Sequence, residues 1–129
     1  MSRRGCFITL EGPEGSGKSS QAKRLVRALR RSGHRAVLVQ DPGSTALGRA
    51  LRNVLLHTPG QITPLTEALL FIGGRVALVE ERIVPALRQG RVVVCDRFHD
   101  ATMVYQGFGG RLDVPWLDAL GRRAIHDTM

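Results

Sequence analysis

Gly12-Pro13-Glu14-Gly15-Ser16-Gly17-Lys18-Ser19 decides how the rest of this 129-residue chain is read. The stretch fits the pattern G-x-x-x-x-G-K-[ST]. An apolar run, Cys6-Phe7-Ile8-Thr9-Leu10, precedes it as a buried strand would, and a helical pattern from Lys18 to Ser32 follows. The context is therefore strand, loop, helix. Glycine lacks a Cβ, so successive backbone N–H groups can turn toward one anion, and the helix N-terminus adds the positive end of its dipole. In such a loop Gly12 to Ser19 cradle phosphates, Lys18 reaches the outer ones, and the Ser19 hydroxyl suits Mg²⁺. A glycine-rich turn that met the pattern by accident would not carry both flanking elements.

At 129 residues and 43% hydrophobic content the chain can build one modest core, so a single domain over 1–129 is expected. No run of 18 apolar residues occurs, and Met1-Ser2-Arg3-Arg4 is not followed by the apolar segment of a signal peptide. We expect a soluble, cytoplasmic chain with no membrane partner. The net charge of +8 suggests an anionic partner. Much of the excess lies in Lys23, Arg24, Arg27, Arg30, Arg31 and Arg35, on or just after one helix. A solvated basic face is the favoured account; nucleic acid is disfavoured, since aromatics are only 5% and no stacking platform is visible. Two cysteines make no disulfide framework. With Glu11 and Asp96 level at neighbouring strand ends, Cys6 and Cys95 would be offset by about 13 Å. That exceeds the ~7 Å reach of a bridge, so two buried free thiols are expected.

Further along, Ser32-Gly33 ends the first helix and Ala36-Val37-Leu38-Val39 reads as a second strand. After the loop Asp41-Pro42-Gly43-Ser44, the spacing of Leu47, Leu51, Val54 and Leu55 predicts a helix stopping near Thr58-Pro59-Gly60. Thr63 then caps a long helix with Pro64 in its first position, carrying Leu65, Leu69, Ile72, Val76, Val79 and Ile83 down one face. Pro85 should kink or restart it and Gly90 ends it. A strand from Arg91 to Cys95 leads into Asp96-Arg97, followed by helices from about Asp100 to Gln106 and from Pro115. Alternation of this kind predicts a parallel sheet with helices on both faces.

Four segments now carry a resemblance. The loop at 12–19, D-P-G-S-T-A-L-G-R-A-L-R at 41–52, E-A-L-L-F-I-G-G-R-V at 67–76 and C-D-R-F-H-D-A-T-M-V-Y-Q-G at 95–107 resemble, in order and spacing, the bacterial thymidylate kinases. The resemblance runs from about Phe7 to the last residues and covers the N-terminal part of the family. It implies an α/β P-loop nucleoside monophosphate kinase fold, a three-layer α/β/α arrangement on a parallel sheet. The chain would lack the C-terminal strands and lid, an incomplete domain. The reaction implied is phosphoryl transfer from ATP to dTMP, giving dTDP on the way to dTTP, with ATP and Mg²⁺ as cofactors.

Such an enzyme must hold ATP·Mg²⁺ and an acceptor monophosphate in line while neutralising the transferring group. Asp96, ending a strand, can face the loop and hold Mg²⁺ with Ser19. Lys18, Asp96 and Arg97 are the catalytic candidates, and Arg97 with Arg75 suits the acceptor phosphate, since guanidinium offers forked, permanently charged donors. Gly73-Gly74, costly inside a helix by roughly 0.5–1 kcal/mol each, would be explained by close approach of a ligand or another backbone. By resemblance Phe71 stacks on thymine, Thr102, Tyr105 and Gln106 lie near the acceptor's sugar and base, and Glu14 addresses the sugar 3′-hydroxyl.

The chain also departs from the family. Gln40 stands where relatives carry an arginine in R-E-P-G-G-T, Ala101 replaces a serine, and Gly73-Gly74 replaces an alanine-rich pair. Gly15 holds the loop position where one class carries a catalytic arginine, and no basic lid follows. Low turnover, an unpaired edge on the Cys6 to Glu11 strand, and an oligomeric state such as a homodimer are the resulting expectations. Two other readings stay open, another P-loop nucleotide or nucleoside kinase and a non-catalytic nucleotide-binding fragment. A basic nucleic-acid-binding module stands third.

Overall fold

A computed structural model describes residues 4–12, 17–98, 107 and 109–126. The helix expected from Asp100 to Gln106 lies outside these residues. Strand β1 (Cys6–Leu10) leads to helix α1 (Lys18–Arg31), strand β2 (Ala36–Gln40) and helix α2 (Ala46–His57). Helix α3 (Pro64–Leu78), a π-helical turn (Val79–Ile83) and helix α4 (Val84–Arg88) form one long rod, followed by β3 (Val92–Asp96) and α5 (Val114–His126).

Local chemistry explains most boundaries. At the end of α1, Gly33 takes φ 89°, its N–H meets Arg30 O at 3.1 Å and the His34 N–H meets Leu29 O at 3.0 Å, a left-handed cap that favours glycine. Thr63 caps α3 through its side chain with Pro64 next, as expected. Pro85 restarts the rod: it offers no N–H to the Glu81 carbonyl, and the wider π turn immediately before it absorbs the mismatch.

The three strands are parallel in the order β1-β3-β2. β3 is central and reads Val-Val-Val-Cys-Asp, the near-continuous apolar run of a strand covered on both faces. Val93 and Cys95 pack with Val39, Leu78, Val79 and Ile83 toward the rod. Val94 packs on the other face with Ala22, Val26 and Ala36, beneath α1. The result is the expected three-layer arrangement. Full burial of Val93 and Val94 contributes roughly 1.5–3 kcal/mol each. A third cluster joins Ala68 and Ile72 of α3 to Leu117 of α5.

Four expectations need correction. β1 is not a buried strand: it occupies one edge of the described sheet, and Cys6 and Thr9 are exposed. Cys6 is therefore an exposed thiol and only Cys95 is buried, both free. Leu10, rather than Glu11, is level with Asp96, so Cys6 and Cys95 are three residues out of register, roughly 10 Å along the strand and still beyond bridging. The apolar stripes of α2 and α3 are also displaced. Leu47 and Val54 are 48% and 45% exposed, and Leu65 and Leu69 are 43% and 48% exposed. The buried side of α3 instead runs Ala68, Ile72, Arg75 and Leu78, because α2 and α5 meet the helix there.

Candidate functional site

The strands end in one row, Leu10 beside Asp96 beside Gln40. Backbone bonds extend the row past the sheet: the Arg97 N–H donates to Leu10 O at 3.0 Å and the Asp41 N–H to Asp96 O at 3.2 Å. Chain segments after all three strands are thus gathered at the carboxyl edge, where open α/β sheets bind ligands. A cleft of about 500 Å³ opens there. Gly17, Lys18 and Ser19 line the β1 side, Asp96 and Arg97 the middle, and Gln40, Asp41, Arg52 and Leu55 the β2 side, with Phe71 from α3.

On the β1 side, Gly17 adopts φ 81°, a left-handed turn that opens α1, and no acidic side chain stands in the first turn to offset the helix dipole. Lys18 Nζ reaches Asp96 Oδ1 at 3.1 Å and the Gly12 carbonyl at 3.5 Å. Ser19 Oγ donates to Asp96 Oδ2 at 2.9 Å. Loop lysine, loop serine and strand-end carboxylate, expected together from sequence, meet in one constellation. Pro13, Glu14, Gly15 and Ser16 lie outside the described residues, as do Thr102, Tyr105 and Gln106.

In the middle, Arg97 has φ 70°, a left-handed backbone uncommon for a residue with a Cβ and of the kind that gathers at functional sites. Its guanidinium lies over the Phe71 ring at 5.8 Å from the centroid, within cation–π range. The structure thus pairs the expected phosphate-binding arginine with the expected stacking aromatic.

Arg75 goes elsewhere. It is 2% exposed, donates through Nε to Asp41 Oδ2 at 2.6 Å and through Nη2 to the Phe98 carbonyl at 3.3 Å, and lies 5.3 Å from the Phe98 ring centroid. It sits behind the cleft wall, and Asp41 forms that wall. Burial pushes the Asp41 carboxyl above its ordinary range, with Arg75 and then Arg97 opposing the shift. Its Oδ1 has no hydrogen-bond partner among the described residues. The two helix glycines also separate. A Cβ on Gly74 would lie 3.0 Å from Leu51 Cδ1, so close packing of α2 accounts for that glycine, whereas a Cβ on Gly73 would meet nothing within 4 Å.

Sequence reasoning missed Asp41 and Arg52. One signal was present: Gly48 and Arg52 stand four apart in a helix that begins beside the loop after β2.

A parallel sheet with helices on both faces, a glycine-led helix start and a strand-end carboxylate facing it define a P-loop α/β protein of the nucleotide kinase type. Residues 10–126 match the family described as Thymidylate kinase. A thymidylate kinase of Deinococcus radiodurans is 47% identical over 113 residues, covering 88% of this chain and 55% of the relative. One from Synechococcus sp. (strain JA-3-3Ab) is 48% identical over 118 residues, covering 92% and 57%. The crystal structure of thymidylate kinase from Ehrlichia chaffeensis superposes with a TM-score of 0.88 at 38% identity, covering 95% of this chain and 69% of that one. The chain belongs to the thymidylate kinase family, and it spans a little over half the length of these curated relatives.

Proposed function

We propose that the chain carries the donor-phosphate and acceptor sites of an ATP-dependent thymidylate kinase, transferring a phosphoryl group from ATP to dTMP. The observation that carries the reading is the two-sided cleft. Lys18, Ser19 and Asp96 converge at the α1 start on one side, and the Arg97–Phe71 pair faces the same space. The first side suits a polyphosphate: Gly12 to Ser19 supply backbone N–H groups and the helix dipole, and Lys18 adds a point charge. Ser19 and Asp96 present two hard oxygens 2.9 Å apart, a donor set that fits Mg²⁺ with water and phosphate oxygens completing the shell. A cation held there would neutralise charge on the donor phosphates.

The second side suits a nucleoside monophosphate. Phe71 offers the ring face that Arg97 does not cover to thymine, and Arg97, whose guanidinium lies over the Phe71 ring, offers a forked cation to the phosphate. Glu14, Thr102, Tyr105 and Gln106 complete the sugar and base contacts in this reading, while Arg75 acts through Asp41 rather than on the phosphate itself. Positioning and charge neutralisation then account for the chemistry. Leu47, Val54, Leu65 and Leu69 leave an apolar surface on α2 and α3 that a second copy of the chain would cover, and sedimentation at increasing concentration tests that homodimer.

Titration of Arg97→Ala with dTMP and with thymidine, followed by calorimetry, tests the acceptor assignment. The monophosphate should lose far more affinity than the nucleoside, since only the former presents the paired anion. Equal loss for both would mean that Arg97 acts through structure. A coupled assay with ATP and a panel of monophosphates separates dTMP from other acceptors, and ATP binding without turnover would favour a non-catalytic fragment.

A further inference from the structure

We infer that the outer face of α1 is a docking surface for the phosphate backbone of duplex nucleic acid, carried by Arg24, Arg27 and Arg31 and separate from the nucleotide cleft. The three residues stand three and four apart, so they share one face of the helix. Ala22 and Val26 are buried on the other face, with Leu25 and Leu29 half-buried beside them, packed toward Val94 of the sheet. The arginines therefore lie on the side turned away from the sheet, where all three are exposed and line a hollow of about 290 Å³. Other cations of the run are engaged within the fold. Arg30 donates through Nε to the Ala36 carbonyl at 3.0 Å, and Arg35 donates through Nη2 to the Gln89 carbonyl. Arg27 Nε meets the Lys23 carbonyl at 3.4 Å, which leaves its two terminal nitrogens to a ligand.

Charge argues for a polyanion on this face. No Asp or Glu occurs between Lys18 and Gln40, and none of the three arginines has a carboxylate within ion-pair distance among the described residues. Like charges three and four apart destabilise a helix, and a bound polyanion would relieve that repulsion. From Arg24 to Arg31 the helix rises about 10 Å. A duplex carries one charge per about 1.7 Å of its axis, so several phosphates fall within that span, and guanidinium forks match their oxygens. The surroundings argue against two other anions. A single strand binds by stacking its bases on aromatic side chains, and α1 carries none. A lipid surface takes an amphipathic helix by its apolar side, and that side of α1 is packed on the sheet. A duplex turns its phosphates outward and needs neither.

The test is fluorescence anisotropy of a labelled DNA duplex of mixed sequence, titrated with the full chain over a series of salt concentrations. The affinity should fall in the range of about 10⁻⁴–10⁻⁶ M, and three phosphate contacts should make the slope of log K against log salt about −3. Replacing Arg24, Arg27 and Arg31 together by Gln should flatten that slope by about 2–3, whereas replacing all three by Lys should preserve it. A control that replaces the exposed Arg49, Arg88 and Arg123 by Gln removes the same charge elsewhere and should leave the slope in place. Saturating ATP·Mg²⁺ should not displace the duplex. Absence of salt-dependent binding, a glutamine triple variant with the wild-type slope, or an equal loss in the control overturns the inference. Displacement by ATP·Mg²⁺ also overturns it, since the duplex would then occupy the cleft, as does binding to phosphatidylserine vesicles that needs the three arginines while duplex binding does not.

Discussion

Ser19 Oγ donates to Asp96 Oδ2 at 2.9 Å, although 77 residues separate the two in sequence. The parallel register that sets Leu10 beside Asp96 makes this meeting geometric: β1 runs into the loop that ends at Ser19, and β3 ends at the carboxylate. Lys18 occupies the other carboxylate oxygen at 3.1 Å, so loop and strand end are tied before any anion arrives.

Lys18→Ala removes the point charge at the α1 start while leaving the backbone cradle and the Ser19–Asp96 bond in place. ATP·Mg²⁺ affinity should fall by about 100-fold or more, with the far-UV circular dichroism spectrum unchanged. Calorimetric titration reads the affinity, and a retained value would count against the phosphate assignment.

Arg75 and Asp41 form a pair whose side chains are 2% and 0% exposed. Arg75→Met leaves a buried carboxylate facing an apolar chain, so urea denaturation should show a loss of about 3–5 kcal/mol. Combining it with Asp41→Leu removes both charges and should recover a large part of that loss. If the double variant is no more stable than Arg75→Met, the pair is not what holds this wall together.

The thiols should differ sharply. Cys95 is fully buried, its Sγ lies 3.0 Å from the Arg97 carbonyl, and burial, then the Asp41 carboxylate, push its thiol far above the ordinary range, with Arg75 opposing. Cys6 is exposed at the sheet edge. Iodoacetamide at pH 8 should alkylate Cys6 alone, with Cys95 reacting only in denaturant; peptide mass spectrometry distinguishes the two.

Adjacent glycines of α3 should respond oppositely. A Cβ on Gly73 meets open space, so Gly73→Ala should raise stability by about 0.5–1 kcal/mol. At Gly74 the new methyl would sit 3.0 Å from Leu51 Cδ1, and the displacement of the Leu51 side chain that this contact requires should offset the gain. Thermal unfolding of both variants checks the contrast. A Gly73→Ala chain that is no more stable would indicate that something approaches the helix at that point.

What the sequence determined by itself is what short-range chemistry controls. The strand and helix around Lys18, the cap at Gly33, the Thr63-Pro64 start and the apolar strand, expected over Arg91 to Cys95 and found at Val92–Asp96, are each encoded within a few residues, through caps, fixed dihedrals and period, and all lie within a residue of where those signals put them. The pairing of Ser19 with Asp96 was legible too, because the loop pattern and a strand-end carboxylate each mark one partner. Tertiary structure alone decided which side of each helix meets a neighbour. Leu47, Val54, Leu65 and Leu69 have helical spacing yet face outward, since Gly48 brings α2 onto the Gly43 turn and Gly74 brings Leu51 onto α3. The same packing buries Arg75 against Asp41, 34 residues away, and leaves Arg52 in the cleft. Spacing assigns residues to a common face, but the choice of the face that loses water depends on close contacts between elements distant in sequence, and no local pattern records those.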